Sequence, residues 1–273
     1  MPKDGLFGPV STGVAITDAA RAYGYATTTL TVPDDPEDMP RVKRQLRRLR
    51  VQGLVVIRST TGIEAMTRPL LEEFPASVIT GSQLGYHETG VQISQRQAAR
   101  EVTDHLFDVG CRSVAHVSGP EDWYDALERS LGWGDSVAAH GASATCTVVK
   151  AGSWGSEAAY HAASLLFRDG PKPDAVFAAN DLVALGVTRA ARESGMRLPE
   201  QFAVAGFDNI AGSADFQPPL TSVEQPFTAA GRSAVEMLLA RIRGETAGVV
   251  TYQPLLVIRE STSGFSVRVG EDA

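Results

Sequence analysis

The fold of this chain is decided by residues 173–210, PDAVFAANDLVALGVTRAARESGMRLPEQFAVAGFDNI. Two short apolar segments, Ala175–Ala178 and Phe202–Ala205, flank an amphipathic segment that starts at Asn180 and stops at Gly195. Short apolar runs on either side of a 3.6-residue periodicity are typical of a strand, a helix and a second, parallel strand. The stretch therefore predicts a βαβ unit of a parallel sheet.

Small polar residues follow both predicted strands of this unit. Asn180 comes after the first strand and Asp208 after the second. In an open parallel sheet, ligands bind in the crevice beyond the carboxyl ends of the strands. We therefore expect Asn180 and Asp208 to face one binding cleft.

The same alternation of strand and helix patterns extends over almost the whole chain. The predicted helices are 11–23, 36–50, 63–73, 95–109, 124–140, 155–168, 180–194 and 227–243. The predicted strands are 25–32, 53–58, 76–80, 90–93, 113–118, 144–149, 174–178, 202–206 and 253–259. They form two series of similar size, before and after about residue 112. The pattern predicts an α/β protein with two doubly wound, parallel-sheet lobes.

Length and composition fit a globular protein of this kind. The 273 residues are enough for two domains of ordinary size, and 43% are hydrophobic and 21% charged. The 25 basic and 32 acidic residues give a formal net charge of −7. A self-sufficient nucleic-acid-binding protein usually carries a basic patch and a reading motif, so this charge balance argues against one.

The sequence lacks the common enzyme, metal and membrane patterns. The sequence has no His-Glu-x-x-His, Gly-x-Ser-x-Gly or P-loop pattern, and its five histidines are scattered. Cys111 and Cys146 lack CxxC spacing. No apolar run is long enough to span a bilayer, and the first residues do not form a secretory signal. We expect no catalysis, no cofactor, no metal site and a cytoplasmic location without membrane contact.

Three motifs at fixed spacing carry a family resemblance. They are Val-Phe-x-x-Asn-Asp at 176–181, Pro-Glu at 199–200 and Val-x-Gly-Phe-Asp at 204–208. With them the chain resembles the lactose-repressor/galactose-repressor family of bacterial transcriptional regulators, whose effector-binding core is similar to a periplasmic sugar-binding protein. The resemblance implies lobes joined by three crossings. The N-terminal lobe would be 1–112 and 225–246, and the C-terminal lobe 113–224 and 247–273.

The resemblance also implies a function. A small saccharide or polyol effector would bind between the two lobes of each chain of a homodimer. Binding would change the arrangement of the lobes, and this conformational change would alter the contact of a helix-turn-helix headpiece with operator DNA. That headpiece and the first apolar strand lie outside this sequence, which is either a shortened reading frame or a piece of a longer chain. The alternative is a solute-binding protein of a sugar transporter. The Pro218–Pro226 segment, typical of the regulators, argues against that alternative.

The family resemblance assigns the candidate ligand residues. Arg129, Asn180 and Asp208 would hold hydroxyl groups, although on sequence alone Asn180 can equally be a helix cap and Arg129 a solvated ion pair. An aromatic wall would come from Trp154, with Trp123 and Phe216 as weaker candidates. The first lobe would contribute Phe7, Pro9, Gln97 and Arg50. Ser94-Gln95 stands where the family commonly has an aspartate, so this loop brings no charge.

Two further features carry expectations about the first lobe. The basic run 41–50 has Val42, Leu46 and Leu49 at helical spacing, which favours a solvated amphipathic helix over an accessory nucleic-acid contact. The first strand would lie between strands 25–32 and 53–58. Without it, the first lobe would close its sheet, borrow a strand or become the less stable lobe.

Overall fold

The computed structural model describes residues 7–33, 35–142, 146–168 and 172–265. The α-helices are α1 (Phe7–Ala22), α2 (Met39–Leu49), α3 (Ile63–Glu73), α4 (Gln95–Asp108), α5 (Tyr124–Ala139), α6 (Ser156–Arg168), α7 (Asp181–Glu193), α8 (Phe227–Ile242) and α9 (Glu260–Ser263). The strands are β1 (Leu54–Arg58), β2 (Ala76–Thr80), β3 (Gly90–Ile93), β4 (Val114–Ser118), β5 (Val148–Lys150), β6 (Ala175–Ala178), β7 (Ala203–Ala205), β8 (Ser222–Glu224), β9 (Val249–Tyr252) and β10 (Leu255–Val257).

The chain folds as two compact units. The large unit comprises Phe7 and the described parts of 95–225 and 253–265, and the small unit comprises 8–94 and 226–252. Apart from the boundary between Phe7 and Gly8 at the start of α1, the chain passes from one unit to the other after Ser94, after Gln225 and after Tyr252. These points differ from the boundaries expected at residues 112 and 246.

Packing explains the difference in boundaries. Helix α4 packs along α5, so the chain enters the large unit at Gln95 rather than after residue 112. Strand β9 pairs with β3 of the small unit, so the last passage comes after Tyr252. The predicted strand 253–259 is consequently shorter, because β10 covers Leu255–Val257 and pairs with β8.

The core of the large unit is a four-stranded parallel sheet in the order β5-β4-β6-β7. Every residue of β4, β6 and β7 is buried. Side chains of α6 and α7 cover one face of the sheet, and side chains of α4 and α5 cover the other. Helices on both faces of a parallel sheet make the doubly wound α/β arrangement that the sequence predicts.

A close helix contact fixes the position of α5. A Cβ atom on Gly132 would lie 2.1 Å from the carbonyl oxygen of Arg96 on α4, closer than any side chain permits. Glycine therefore lets the two helix backbones approach each other directly. The outer side of the contact is joined by Arg96, whose Nε lies 2.6 Å from Asp135 Oδ2. The segment of α5 that carries Arg129 is thus held against the start of α4.

The small unit is built on a parallel sheet in the order β1-β2-β3-β9. Helix α8 packs against it, and α1 packs against α8 at Gly231, where a Cβ would lie 2.7 Å from that of Ala15. Ser77 on β2 donates a 2.7 Å hydrogen bond to the carbonyl of Ala234. The unit therefore has its own sheet and its own apolar core.

The predicted strand 25–32 is wrong. The structure has no strand there, and residues 24–29 are exposed. Leu30 and Val32 instead pack, partly buried, against the apolar cluster of Met39, Leu46 and Leu70. The apolar side chains of Leu30 and Val32, which suggested a strand, pack against α2 and α3 instead.

Two other predictions about local structure are modified. Residues 144 and 145 of the predicted strand 144–149 lie outside the described residues, and β5 begins at Val148. The predicted helix 11–23 begins earlier in the structure, because Phe7 and Pro9 lie in the first turn of α1.

The basic run forms the predicted amphipathic helix, α2. Leu46 is buried, but Leu49 is 48% exposed and does not join the apolar face. Lys43 and Arg47 both form ion pairs with Glu73 of α3, at 3.3 and 2.8 Å. In the described part of the chain, no helix is long and apolar enough to cross a membrane.

Candidate functional site

A fully buried arginine marks the candidate site in the large unit. Arg129 on α5 is 2% exposed. A buried guanidinium is stable only when its charge is paired and its N–H groups are bonded. Its Nε donates to Gln95 Oε1 at 2.9 Å, its Nη1 to the carbonyl of Ala179 at 2.6 Å and its Nη2 to Asp208 Oδ1 at 3.3 Å.

Three side chains, those of Gln95, Gln225 and Asp208, form a closed ring of hydrogen bonds with this arginine. Gln95 Nε2 donates to Gln225 Oε1 at 2.6 Å, and Gln225 Nε2 donates to Asp208 Oδ1 at 2.6 Å. Arg129 bonds to both Gln95 and Asp208, which completes the ring. We call these four residues the Arg129 ring. Because all four are buried, each bond acts in a medium of low dielectric constant, and losing one member leaves its neighbours unpaired.

Aromatic faces enclose the guanidinium. Its central carbon lies 3.8 Å from the ring centroid of Phe207 and 5.4 Å from that of Trp154. Trp123 meets Trp154 edge to face, with ring centroids 5.6 Å apart. A cation over an aromatic face is stabilised by the negative potential of the ring. The site therefore combines one positive charge, one carboxylate and several apolar ring surfaces.

Asp208 is presented by an unusual turn at the end of β7. Asp208 and the following Asn209 have φ values of +92° and +45°, in the left-handed region that costs free energy for residues other than glycine. The Asp208 N–H donates to the carbonyl of Val223 at 2.8 Å, and Arg259 donates to Asn209 Oδ1 at 2.7 Å. The turn is thus held from both sides.

Asp181, the first residue of α7, anchors the same turn through hydrogen bonds. Its carboxylate accepts hydrogen bonds from Ile210 N at 2.9 Å, Ser213 Oγ at 2.5 Å and Ser222 Oγ at 2.6 Å. Burial raises the pKa of Asp181 to about 6, although the two serine bonds partly offset that rise. A strained conformation maintained by a dedicated anchor is typical of a functional position.

Asn180 has the helix-cap role that its sequence position allowed. Its Oδ1 accepts from Val183 N at 2.8 Å, which caps α7. Its Nδ2 donates to the backbone carbonyl of Trp154 at 3.4 Å. Asn180 therefore connects the start of α7 to the aromatic part of the site.

Two further titratable groups adjoin Arg129. Asp125 Oδ2, one helical turn earlier on α5, lies 3.8 Å from Arg129 Nη2, and burial raises the pKa of Asp125 to about 6 against the lowering effect of Arg129. His116 on β4 is fully buried and stacked on Phe177, and burial lowers its pKa to about 4. His116 bonds to Ser130, which ties α5 to the sheet next to Arg129.

The structure brings some of the predicted site residues together and leaves others apart. Five residues form one cluster in the large unit: Arg129, Asn180, Asp208, Trp154 and Trp123. Phe216 and Gln97, also in the large unit, lie outside this cluster. Phe216 lines a separate groove with Leu198 and Pro218, and Gln97 is exposed and bonded to Glu101 at 2.9 Å.

The remaining predicted residues lie on α1 and α2. Phe7 and Pro9 are in the first turn of α1. Arg50 is the exposed C-cap of α2, with a left-handed φ of 49°. Pro9 and Arg50 belong to the small unit.

Sequence reasoning missed Gln95, Gln225 and Phe207. Gln95 shares its helical face with Ala98, Ala99 and Val102, all buried, so the periodicity of α4 could have favoured it over Gln97. Phe207 lies within the quoted Val-x-Gly-Phe-Asp motif. Gln225 lies in the Pro218–Pro226 segment quoted above, but its role depends on the folded turn at Asp208. In the described ranges, no group of three or more His, Cys, Asp or Glu residues could hold a metal ion.

The fold and this cluster define a class of protein: a ligand-binding α/β domain with a charged, aromatic-lined site at the carboxyl ends of a parallel sheet. Comparison with known proteins is consistent with that class. The family of periplasmic binding protein-like domains matches residues 103–262.

Curated relatives and solved structures narrow the class further. The chain is 35% identical over 189 residues to the HTH-type transcriptional regulator CelR of Thermobifida fusca, covering 67% of this chain and 56% of that protein. It is 30% identical over 245 residues to the HTH-type transcriptional repressor PurR of Aliivibrio fischeri, covering 87% and 72%. The match to the lac repressor dimer bound to operator and the anti-inducer ONPF has a TM-score of 0.83 at 25% identity, covering 94% and 78%. A CelR–cellobiose complex matches with a TM-score of 0.79 at 26% identity, covering 92% and 78%. The chain belongs to the lactose-repressor family of transcriptional regulators, as its motifs indicated.

Proposed function

We propose that this chain is the effector-binding and dimer-forming core of a transcriptional regulator, and that its effector is a small saccharide or polyol. The observation that carries the proposal is the Arg129 ring, in which a buried guanidinium and a buried carboxylate meet beside aromatic faces. The similarity to CelR supports a saccharide. The matched relatives named above are regulators, which favours this function over a transporter's solute-binding protein or an enzyme.

The chemistry of the site suits hydroxyl groups. A sugar hydroxyl both donates and accepts, so it can bond a carboxylate and a guanidinium at once. Asp208 and Asp125 would accept from hydroxyls. Arg129 has five N–H groups, of which three donate within the described site, so two further groups are suited to a ligand oxygen. Trp154 would offer an aromatic surface to the apolar face of a pyranose.

The proposed mechanism is a population shift. Gln95 and Gln225 are the residues of the large unit next to two of the passages between units, and both are members of the Arg129 ring. A ligand that bonds Arg129 and Asp208 would change the hydrogen bonds that these two residues make to Gln95 and Gln225. An effector with different affinities for two arrangements of the chain shifts their populations and so the affinity of the regulator for operator DNA.

A homodimer is part of the proposal, because a regulator that reads two half-sites of operator DNA needs two-fold symmetry. The matched lac repressor is a dimer on operator, which supports this assembly. Such a protein would act in the cytoplasm, without membrane contact. Sedimentation equilibrium at micromolar concentrations should show a dimer. A monomer at every micromolar concentration tested would contradict the proposed homodimer.

A thermal-shift screen tests the effector class. Binding to the native state raises the unfolding temperature by mass action. We expect a shift with cellobiose, ribose or a related saccharide at millimolar concentration, and none with amino acids. A shift with amino acids and with no saccharide would contradict the proposed effector class.

A further inference from the structure

The indole nitrogen of Trp154 is a buried hydrogen-bond donor without a partner among the residues that the structure describes. Trp154 as a whole is 6% exposed. Buried donors are nearly always bonded in native proteins, since an unmade bond costs the donor its hydration with nothing in return. An orphaned donor in the candidate site therefore requires an explanation.

The ring cannot turn to find an acceptor, because its neighbours fix its orientation. A Cβ on Gly119 would lie 2.7 Å from the six-membered ring of Trp154, so only glycine leaves room for the indole there. Trp123 packs edge-on against it, and the Arg129 guanidinium lies 5.4 Å from its centroid. The backbone carbonyl of Trp154 accepts from Asn180. The donor is held in one place in advance of any ligand.

Another tryptophan of the same unit behaves differently. Trp133 on α5 is similarly buried, at 8% exposed, and its Nε1 donates to the carbonyl of Val114 at 3.1 Å. The fold thus satisfies the indole donor where the ring serves packing alone. The contrast indicates that the donor of Trp154 is reserved for a group from outside the chain.

We propose that Trp154 Nε1 donates a hydrogen bond to an acceptor oxygen of the effector, a hydroxyl or ring oxygen of a saccharide. This inference rests on the proposed function and sharpens it. Trp154 then selects ligands by a directed bond in addition to its apolar surface. The effector must present an acceptor to Trp154 and donors to the carboxylates near Arg129. A site built to bond a ligand oxygen discriminates strongly against an analogue that lacks it, because the protein donor is left unpaired.

Two matched variants, Trp154→Phe and Trp133→Phe, test the inference. Both keep an aromatic ring and remove an indole N–H. Unfolding by urea without ligand should show a smaller loss of stability for Trp154→Phe, since that variant breaks no hydrogen bond. Calorimetric titration with cellobiose or, if cellobiose does not bind, with ribose should show a roughly 3- to 10-fold weaker affinity for Trp154→Phe than for the native chain. In ¹⁵N-labelled native protein, the indole signal lost in Trp154→Phe should move downfield when the sugar is added.

The possible failures are distinguishable. If Trp154→Phe binds the sugar with native affinity and the indole signal does not move, the donor role is overturned while the proposed function stands. If the native chain binds neither sugar and no saccharide of the thermal-shift screen, the saccharide effector is overturned. The donor role is then decided by the urea measurement: equal losses of stability in the two variants overturn it, and a smaller loss for Trp154→Phe supports it.

Discussion

Gln95 donates a 2.6 Å hydrogen bond to Gln225, 130 residues later in the chain. Each glutamine lies beside a point where the chain passes between its two units, and each bonds one member of the Arg129–Asp208 pair. The residues that would touch the effector are therefore bonded to the residues that flank two passages. This arrangement would give effector binding at Arg129 and Asp208 a direct physical connection to the conformation of the chain at those points.

Replacing Gln95 tests the energetic role of the ring. In Gln95→Leu, the buried Nε–H of Arg129 loses its acceptor, and we expect the free energy of unfolding to fall by about 1–3 kcal/mol. Gln97→Leu on the same helix is the matched control, because Gln97 is exposed, and it should change stability by less than about 0.5 kcal/mol. Urea unfolding followed by circular dichroism provides both values. Equal losses for the two variants would contradict the role of the ring.

Asp181→Asn tests the anchor of the Asp208 turn through pH. Burial raises the pKa of Asp181 from an ordinary 3.8 to about 6, so the folded state binds the proton more tightly than the unfolded state. The stabilisation from that proton is complete below about pH 4 and is lost as pH rises through about 6. Relative to the native chain, the variant should therefore gain about 1–3 kcal/mol of stability between pH 4 and pH 7.

The measurement is urea unfolding of the native chain and Asp181→Asn side by side at several pH values. The difference between the two proteins removes the contributions of the other titrating groups. A difference that stays constant from pH 4 to pH 7 would show that Asp181 does not titrate as its burial requires.

Hydrogen exchange tests the edge of the small-unit sheet. In the described residues, β1 pairs with β2 alone, whereas β6 is paired on both sides, with β4 and β7. A strand bonded along one edge opens more easily than a central strand. Amides of Leu54–Arg58 should exchange faster than those of Ala175–Ala178. Equal protection of the two strands by mass spectrometry would contradict this expectation.

The sequence predicted the large unit well for an identifiable reason. Strands β4, β6 and β7 are short, mostly apolar runs that are buried throughout, and β6 is followed by α7, an amphipathic helix capped by Asn180. Local periodicity and local caps carry that information. The segment 25–32 is rich in strand-favouring threonine, leucine and valine, but residues 24–29 are exposed and Leu30 and Val32 pack on α2 and α3, a use that no local pattern distinguishes from a strand.

The candidate site was predictable in part. Asn180 and Asp208 follow from the rule that strand ends meet at one edge of a sheet, and Arg129 and Trp154 follow from the family resemblance. Gln225 could not be predicted, since its bond to Asp208 depends on a turn with two left-handed residues and on a partner outside its own segment. The orphaned indole of Trp154 is likewise a property of packing, because it depends on Gly119 and on the orientation of the ring.

Calorimetric titration of cellobiose into the native chain, Asp208→Asn and Gln97→Ala is the most direct test of the central claim that the Arg129 ring is an effector site. Asparagine keeps the shape of Asp208 and tolerates its left-handed backbone, but it removes the charge beside Arg129. We predict binding to the native chain and to Gln97→Ala with equal affinity, and an affinity for Asp208→Asn weaker by about 1–3 kcal/mol, or roughly 5- to 150-fold. Native affinity in Asp208→Asn, with all three proteins folded, would contradict the claim.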